Sequence, residues 1–177
     1  YAEEKAMELL FGEDEYEPQL QTLDIKRGND RESGACADLA MRLDTDLFCT
    51  GDNQRFIPWG KDAGATPDGR IGSIDGVTFD VKSPKRANHL SNILTVSGNE
   101  SLLKVSPCYY WQQQCQIAAA EQDYGYWVSY NPVAHNPLAR LHVVRIDRNQ
   151  ADIDKMAQRV AMAAEYRDEI INMIRSL

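Results

Sequence analysis

Apolar and polar positions alternate most sharply at residues 77–82, where Val77, Phe79 and Val81 interleave with Thr78, Asp80 and Lys82. Side chains in a strand point to opposite faces in turn. Val77, Phe79 and Val81 are therefore expected to face a core, while Asp80 and Lys82 share the other face, about 7 Å apart. Gly72, Asp75 and Gly76 precede this run, and Asp-Gly is a strong hairpin signal. The stretch Thr66–Pro84 thus reads as two short strands joined by a turn that brings Asp68 beside Asp80.

Helical periodicity frames this hairpin. Residues 1–10 form a helical pattern ended by Gly12, and residues 13–24 read as an acidic, turn-like linker. A second helix is expected from Asn29, which has Glu32 three residues on in the capping-box arrangement. Its stripe of Glu32, Ala35, Cys36, Leu39 and Leu43 puts Glu32 in line with the apolar face. Glu32 either caps the helix or delivers a third carboxylate to the hairpin. One short strand is expected at Arg55–Trp59. Pro84 ends the strand carrying Lys82, because it cannot donate to a ladder. Residues 87–105 read as a long loop or short helices. Ser106-Pro107 is an N-cap followed by Pro at the first helical position, opening a helix to about Gln122. Strands follow at Tyr124–Tyr130 and Arg140–Ile146. The last segment, Asp152–Ser176, is an amphipathic helix with Ile153, Met156, Val160, Ala163, Ile170 and Ile174 on one side.

Composition narrows the classes. The 177 residues make one domain, 1–177, of ordinary globular composition, at 43% hydrophobic and 26% charged. No apolar run is long enough for a membrane span, so no membrane partner is expected. The net charge of −8 argues against a general nucleic-acid coating protein, but it leaves room for a local basic groove beside an acidic, metal-filled site. The four cysteines form no C-x-x-C and read as reduced thiols in a cytoplasm. The three histidines do not cluster, so a metal site must be oxygen-rich, favouring Mg²⁺ with Mn²⁺ as substitute.

Two carboxylates beside an ammonium, Asp68, Asp80 and Lys82, suit a divalent metal with a cation poised over a water. Lys85 and Arg86 read either as a solvated edge or as contacts to phosphate. Gln112, Gln113, Gln114 and Gln116 can be helix surface or can bond a base edge, a phosphate or a metal-bound water. Tyr109–Trp111 can pack in the core or stack on bases.

Pro67-Asp68 with Asp80-x-Lys82 is by itself a short motif with an elastic gap. The surrounding order is more specific: Gly28 to Glu32, then Thr-Pro-Asp-Gly (66–69), Asp-Val-Lys-Ser-Pro (80–84), Tyr109-x-x-Gln112-x-Gln114, and Tyr-Trp-Val-Ser-Tyr-Asn-Pro (126–132). In this the chain resembles the phage lambda exonuclease and YqaJ-like recombinase family of the PD-(D/E)XK nuclease superfamily. The resemblance implies an α/β fold, with a mixed central sheet of four or five strands flanked by helices. It implies that Asp68, Asp80 and the Val81 carbonyl hold metal and that Glu32 completes a second position or holds its water. Lys82 would orient or activate the attacking water, and Gln112 would support the site, leaving the other glutamines on the surface apart from a DNA-facing Gln114. Thr66, Lys85, Arg86 and Tyr109 become candidate DNA contacts. Family members carry an upstream segment that helps bind the 5′-phosphate; this chain is expected to lack it and to keep only Thr66 of that pocket. The resemblance further implies 5′→3′ digestion of double-stranded DNA ends, a ring-shaped homotrimer, a single-strand annealing partner, and a phage or prophage origin in a bacterial cytoplasm. An endonuclease with the same core, or an inactive DNA-binding scaffold, are the alternatives.

Overall fold

A computed structural model of the chain describes residues 2–11 and 23–177. Most of the expected acidic linker, and Gly12, lie outside the described residues. The elements are α1 (Ala2–Phe11), α2 (Leu23–Leu43), β1 (Leu47–Phe48), β2 (Ile57–Trp59), β3 (Ala63–Ala65), β4 (Gly69–Ile71), β5 (Val77–Lys82), α3 (Arg86–Thr95), α4 (Asn99–Val105), α5 (Pro107–Ala119), β6 (Tyr124–Tyr130), β7 (Leu141–Asp147) and α6 (Gln150–Arg175).

The main sheet has five strands in the order β1-β4-β5-β6-β7, and β2 and β3 form a separate two-stranded ribbon. The expected hairpin is present, with Gly69 opposite Phe79 and Ile71 opposite Val77. Gly76 is required in its turn, since a Cβ there would stand 1.9 Å from the Ile71 carbonyl oxygen. Strands β5 and β6 are parallel, which demands a crossover of a dozen residues or more. Helices α3, α4 and α5 supply it. Residues 87–105 thus resolve into short helices rather than a loop.

Apolar clusters lie on both faces of the sheet. One joins Ala35 and Leu39 of α2 to Phe79, Val128, Tyr130 and Leu141. The other joins Leu102, Tyr110 and Ile117 of α4 and α5 to Trp127, Val144 and Ile146. Burying a side chain such as Phe79 contributes about 1.5–3 kcal/mol. Gly34 lets α2 come close to the sheet, because a Cβ there would lie 3.0 Å from the Tyr130 hydroxyl.

Several sequence expectations change. Helix α2 begins at Leu23, not Asn29; Ile25, Lys26 and Arg27 carry the helix through Gly28, whose interior placement costs only about 1 kcal/mol. Asn29 and Glu32 therefore sit inside the helix and form no capping box. The strand expected at 55–59 shrinks to Ile57–Trp59 and belongs to the small ribbon. Helix α5 stops at Ala119, and Ser106 caps it without a side-chain hydrogen bond. In α6, Ile153 is buried as expected, but Ile171 is the second buried residue, and Ile174 is 39% exposed. The face carrying Thr78 and Asp80 is not open: both are 1% exposed beneath α5. Among the described residues no helix is long and apolar enough to cross a membrane.

Candidate active site

The site forms just ahead of the start of β4, where β5 runs on past it. The Asp68 N–H donates to the Phe79 carbonyl (3.1 Å), the last backbone bond of the hairpin. One step on, the Val81 N–H donates to Asp68 Oδ2 (2.6 Å). A strand residue directs its N–H and C=O to the same side, so the Val81 carbonyl also points to the Asp68 side of β5, beyond the start of β4. Asp80 alternates to the α5 face, where its carboxylate is gripped at one oxygen. Oδ1 accepts from Gln112 Nε2 (3.0 Å) and from Gln116 Nε2 (2.9 Å). Oδ2 has no hydrogen-bond partner beyond its ion pair with the Lys82 ammonium. Lys82 in turn lies over the Tyr109 ring, 5.2 Å from its centroid, within cation–π range.

Charge is concentrated here. Burial, then the nearby Asp80 carboxylate, push the Asp68 carboxyl up to about 7; the Val81 N–H and Lys82 act in the other direction. Burial alone would lower the Lys82 ammonium, but Asp80 and Asp68 outweigh it and raise it, holding Lys82 charged. An acid that resists ionisation beside a second carboxylate is the signature of a place that wants a cation.

Glu32 reaches the site from the opposite layer, since α2 covers the Phe79 face and α5 the Asp80 face. Its Oε1 accepts from Gln54 Nε2 (2.7 Å), and it shares a groove of about 540 Å³ with Asp68, Val81, Lys82 and Tyr109. Among the described residues no three His, Cys, Asp or Glu side chains gather closely enough to cage a metal by themselves. The donors that do meet are all oxygens: two aspartates, one with its Oδ2 unbonded apart from the Lys82 ion pair, and a backbone carbonyl. Such a set fits Mg²⁺, which binds through one or two carboxylates and keeps several waters.

No family model matches the chain, and no curated protein matches it. Solved structures share its architecture. The complex of LHK-Exo with dAMP superposes with a TM-score of 0.80 at 22% identity, covering 99% of this chain and 82% of that one. The alkaline exonuclease LHK-Exo from Laribacter hongkongensis gives 0.78 at 22% identity, with the same 99% and 82% coverage. A phage-related exonuclease from Haemophilus somnus 129PT gives 0.72 at 18% identity, over 98% of this chain and 82% of that one. The fold is that of these exonucleases.

Within this exonuclease fold the expected residues divide. Glu32, Asp68, Val81, Lys82, Lys85 and Tyr109 line one groove, and Gln112 joins through Asp80. Arg86 and Thr66 are exposed; neither lines that groove. Tyr109 is half-buried against the Trp127 cluster while lining the groove, so core packing and site lining coincide. Gln114 does not face DNA. It is fully buried, donating to the Asp147 carbonyl and accepting from the Asn149 N–H, and so ties β7 to the start of α6. The surface reading of Gln113 and Gln116 fails likewise: both are 1% exposed, because α5 lies flat on the polar Thr78–Asp80 face and must satisfy it. Gln116 is the residue that sequence reasoning missed; its signal was its place one turn beyond Gln112. Arg27 also lines the groove, its Nε donating to the Ser83 carbonyl (3.0 Å). It was hidden by the late helix start.

Proposed function

We propose that the chain is a Mg²⁺-dependent exonuclease that hydrolyses phosphodiester bonds of duplex DNA from its ends. The carrying observation is Asp80, buried, gripped at Oδ1 by two glutamines and paired at Oδ2 with Lys82, with Asp68 and the Val81 carbonyl at the same strand end. The shared fold with alkaline and phage-related exonucleases supports the reading.

Asp68, Asp80 and the Val81 carbonyl would hold the metal, with Glu32 holding a water at its far side. The bound ion would supply phosphate polarisation and a water of lowered pKa. Lys82 keeps a positive charge beside the reacting phosphate and can orient the attacking water. Gln112 and Gln116 fix Asp80 so that it reorganises little during reaction. Lys85 and Arg27, with Arg86 nearby in sequence, offer cationic contacts to backbone phosphates in an otherwise acidic protein. By the family resemblance, digestion runs 5′→3′, a homotrimer encircles the duplex, and the single strand left behind passes to an annealing protein in recombination. LHK-Exo was solved with dAMP, and here the groove lined by Asp68 and Lys82 is the candidate for a product nucleotide.

The test is digestion in Mg²⁺ of linear duplexes labelled at the 5′ or the 3′ end, beside closed circular DNA. Early loss of the 5′ label, an intact circle and a dead Lys82→Ala variant are expected. A cut circle overturns the exonuclease in favour of an endonuclease. No cleavage of any substrate, with DNA still bound, overturns it in favour of a binding scaffold.

A further inference from the structure

We infer that Gln54 is a positioning residue for Glu32, and that the tight turn at residues 49–54 sets this acid relative to the two aspartates. The inference rests on the metal-dependent reading above. Glu32 projects from the layer opposite Asp80, and the described acids do not converge into a cage. The aspartates therefore do not fix its direction. The amide of Gln54 does, donating to Oε1 at 2.7 Å with both side chains half-buried. With Oε1 engaged by Gln54, Glu32 keeps its other oxygen for a metal-bound water.

The turn that carries Gln54 is built for position. Cys49 and Gly51 both take left-handed backbone, at φ 54° and 55°. The Asn53 N–H donates to the Thr50 carbonyl and the Gln54 N–H to the Gly51 carbonyl, each at 3.1 Å. Thr50 rests on Gly69: a Cβ there would stand 2.7 Å from Thr50 Cγ2. Gly69 follows Asp68 directly. One backbone segment therefore places Asp68 and also supports the turn, and through Gln54 it places Glu32. The glycine of Thr-Pro-Asp-Gly acquires a physical reason: a Cβ there would meet the Phe79 ring at 2.6 Å as well as Thr50 of the turn.

The experiment is Mn²⁺ titration of the full chain, following free Mn²⁺ by electron paramagnetic resonance. It compares the wild type, Gln54→Met, Glu32→Gln and the double variant. Outer-shell partners of metal ligands typically change affinity by about 10–100-fold. Gln54→Met is expected to weaken Mn²⁺ binding about tenfold, and to add nothing in the Glu32→Gln background. Gln54→Ala repeats the measurement should the Met variant fail to fold. Unchanged Mn²⁺ binding in the single variant, or a full additional loss in the double variant, overturns the role of Gln54 while the metal reading stands. A wild type that binds no Mn²⁺ overturns both.

Discussion

Replacing Lys82 with Met isolates what the ammonium does, because the two side chains are similar in length and only one is charged. Lys82 is 20% exposed and Asp80 1% exposed in their ion pair. Removing one partner of a buried pair costs about 3–5 kcal/mol. Here Asp80 keeps two amide donors at Oδ1, and Lys82 is partly solvated. These lower the expected cost to about 2–3 kcal/mol. For a chain of this size each kcal/mol moves Tm by about 2–4 °C, so scanning calorimetry in EDTA should show a drop of about 4–12 °C. A divalent cation can replace the missing charge, and saturation to a hundred times Kd stabilises by about 2.7 kcal/mol. Mg²⁺ should therefore raise Tm more in Lys82→Met than in the wild type, where the ammonium already neutralises Asp80. DNA cleavage should not return with stability, and its loss should reach about 10²-fold or more. A variant as stable as wild type in EDTA, or equal stabilisation of both by Mg²⁺, would refute this account of Lys82.

Asp68→Asn tests the raised carboxyl. Folding lifts this group from 3.8 to about 7, so between those values the folded chain holds a proton that the unfolded chain has released. Wild-type stability without metal therefore declines as pH rises through that window, and the full deficit is present above about pH 7. The variant lacks the deficit. In urea melts with EDTA it should be more stable than wild type at pH 8, by an amount on the order of 2–4 kcal/mol, with the advantage vanishing near pH 4; a difference that does not vary with pH contradicts the shift. Gln116→Met, with a 1% exposed side chain, should cost about 2–3 kcal/mol through the lost bond to Asp80 and the stranded Gln113 amide. Gln112→Ala, at the exposed end of the same grip, should cost under about 1 kcal/mol yet lower cleavage; equal stability losses would show that burial does not separate their roles. Gly76→Ala should lose about 2–3 kcal/mol, because a Cβ 1.9 Å from the Ile71 oxygen meets backbone that cannot move aside; a neutral result would mean the hairpin turn is misdescribed.

The hairpin was legible in sequence because period two, Asp-Gly and Pro84 all act over a few residues. Strand β6 was read to the residue for the same reason. What sequence could not reveal was which face of the sheet receives cover. Alternation put Asp80 with Lys82 on the face away from Phe79, and only the packing of α5 shows Asp80 buried there. That one fact reverses the reading of Gln113, Gln114 and Gln116, whose polarity suits surface in isolation and a buried polar face in context. Glu32 lines the groove from the stripe read for it, although the cap argument for its helix start was mistaken: Gly28 and Asn29 look like punctuation locally, yet the packed helix runs through them. Gln54 carried no local signal at all, because its meaning comes from a contact across the fold.

The most direct test of the site is anomalous diffraction from crystals soaked in Mn²⁺. The account expects a peak at bonding distance from Asp68, Asp80 and the Val81 carbonyl, lost in Asp80→Ala. No peak there, or one that survives that substitution, would contradict the claim that these residues form a metal centre.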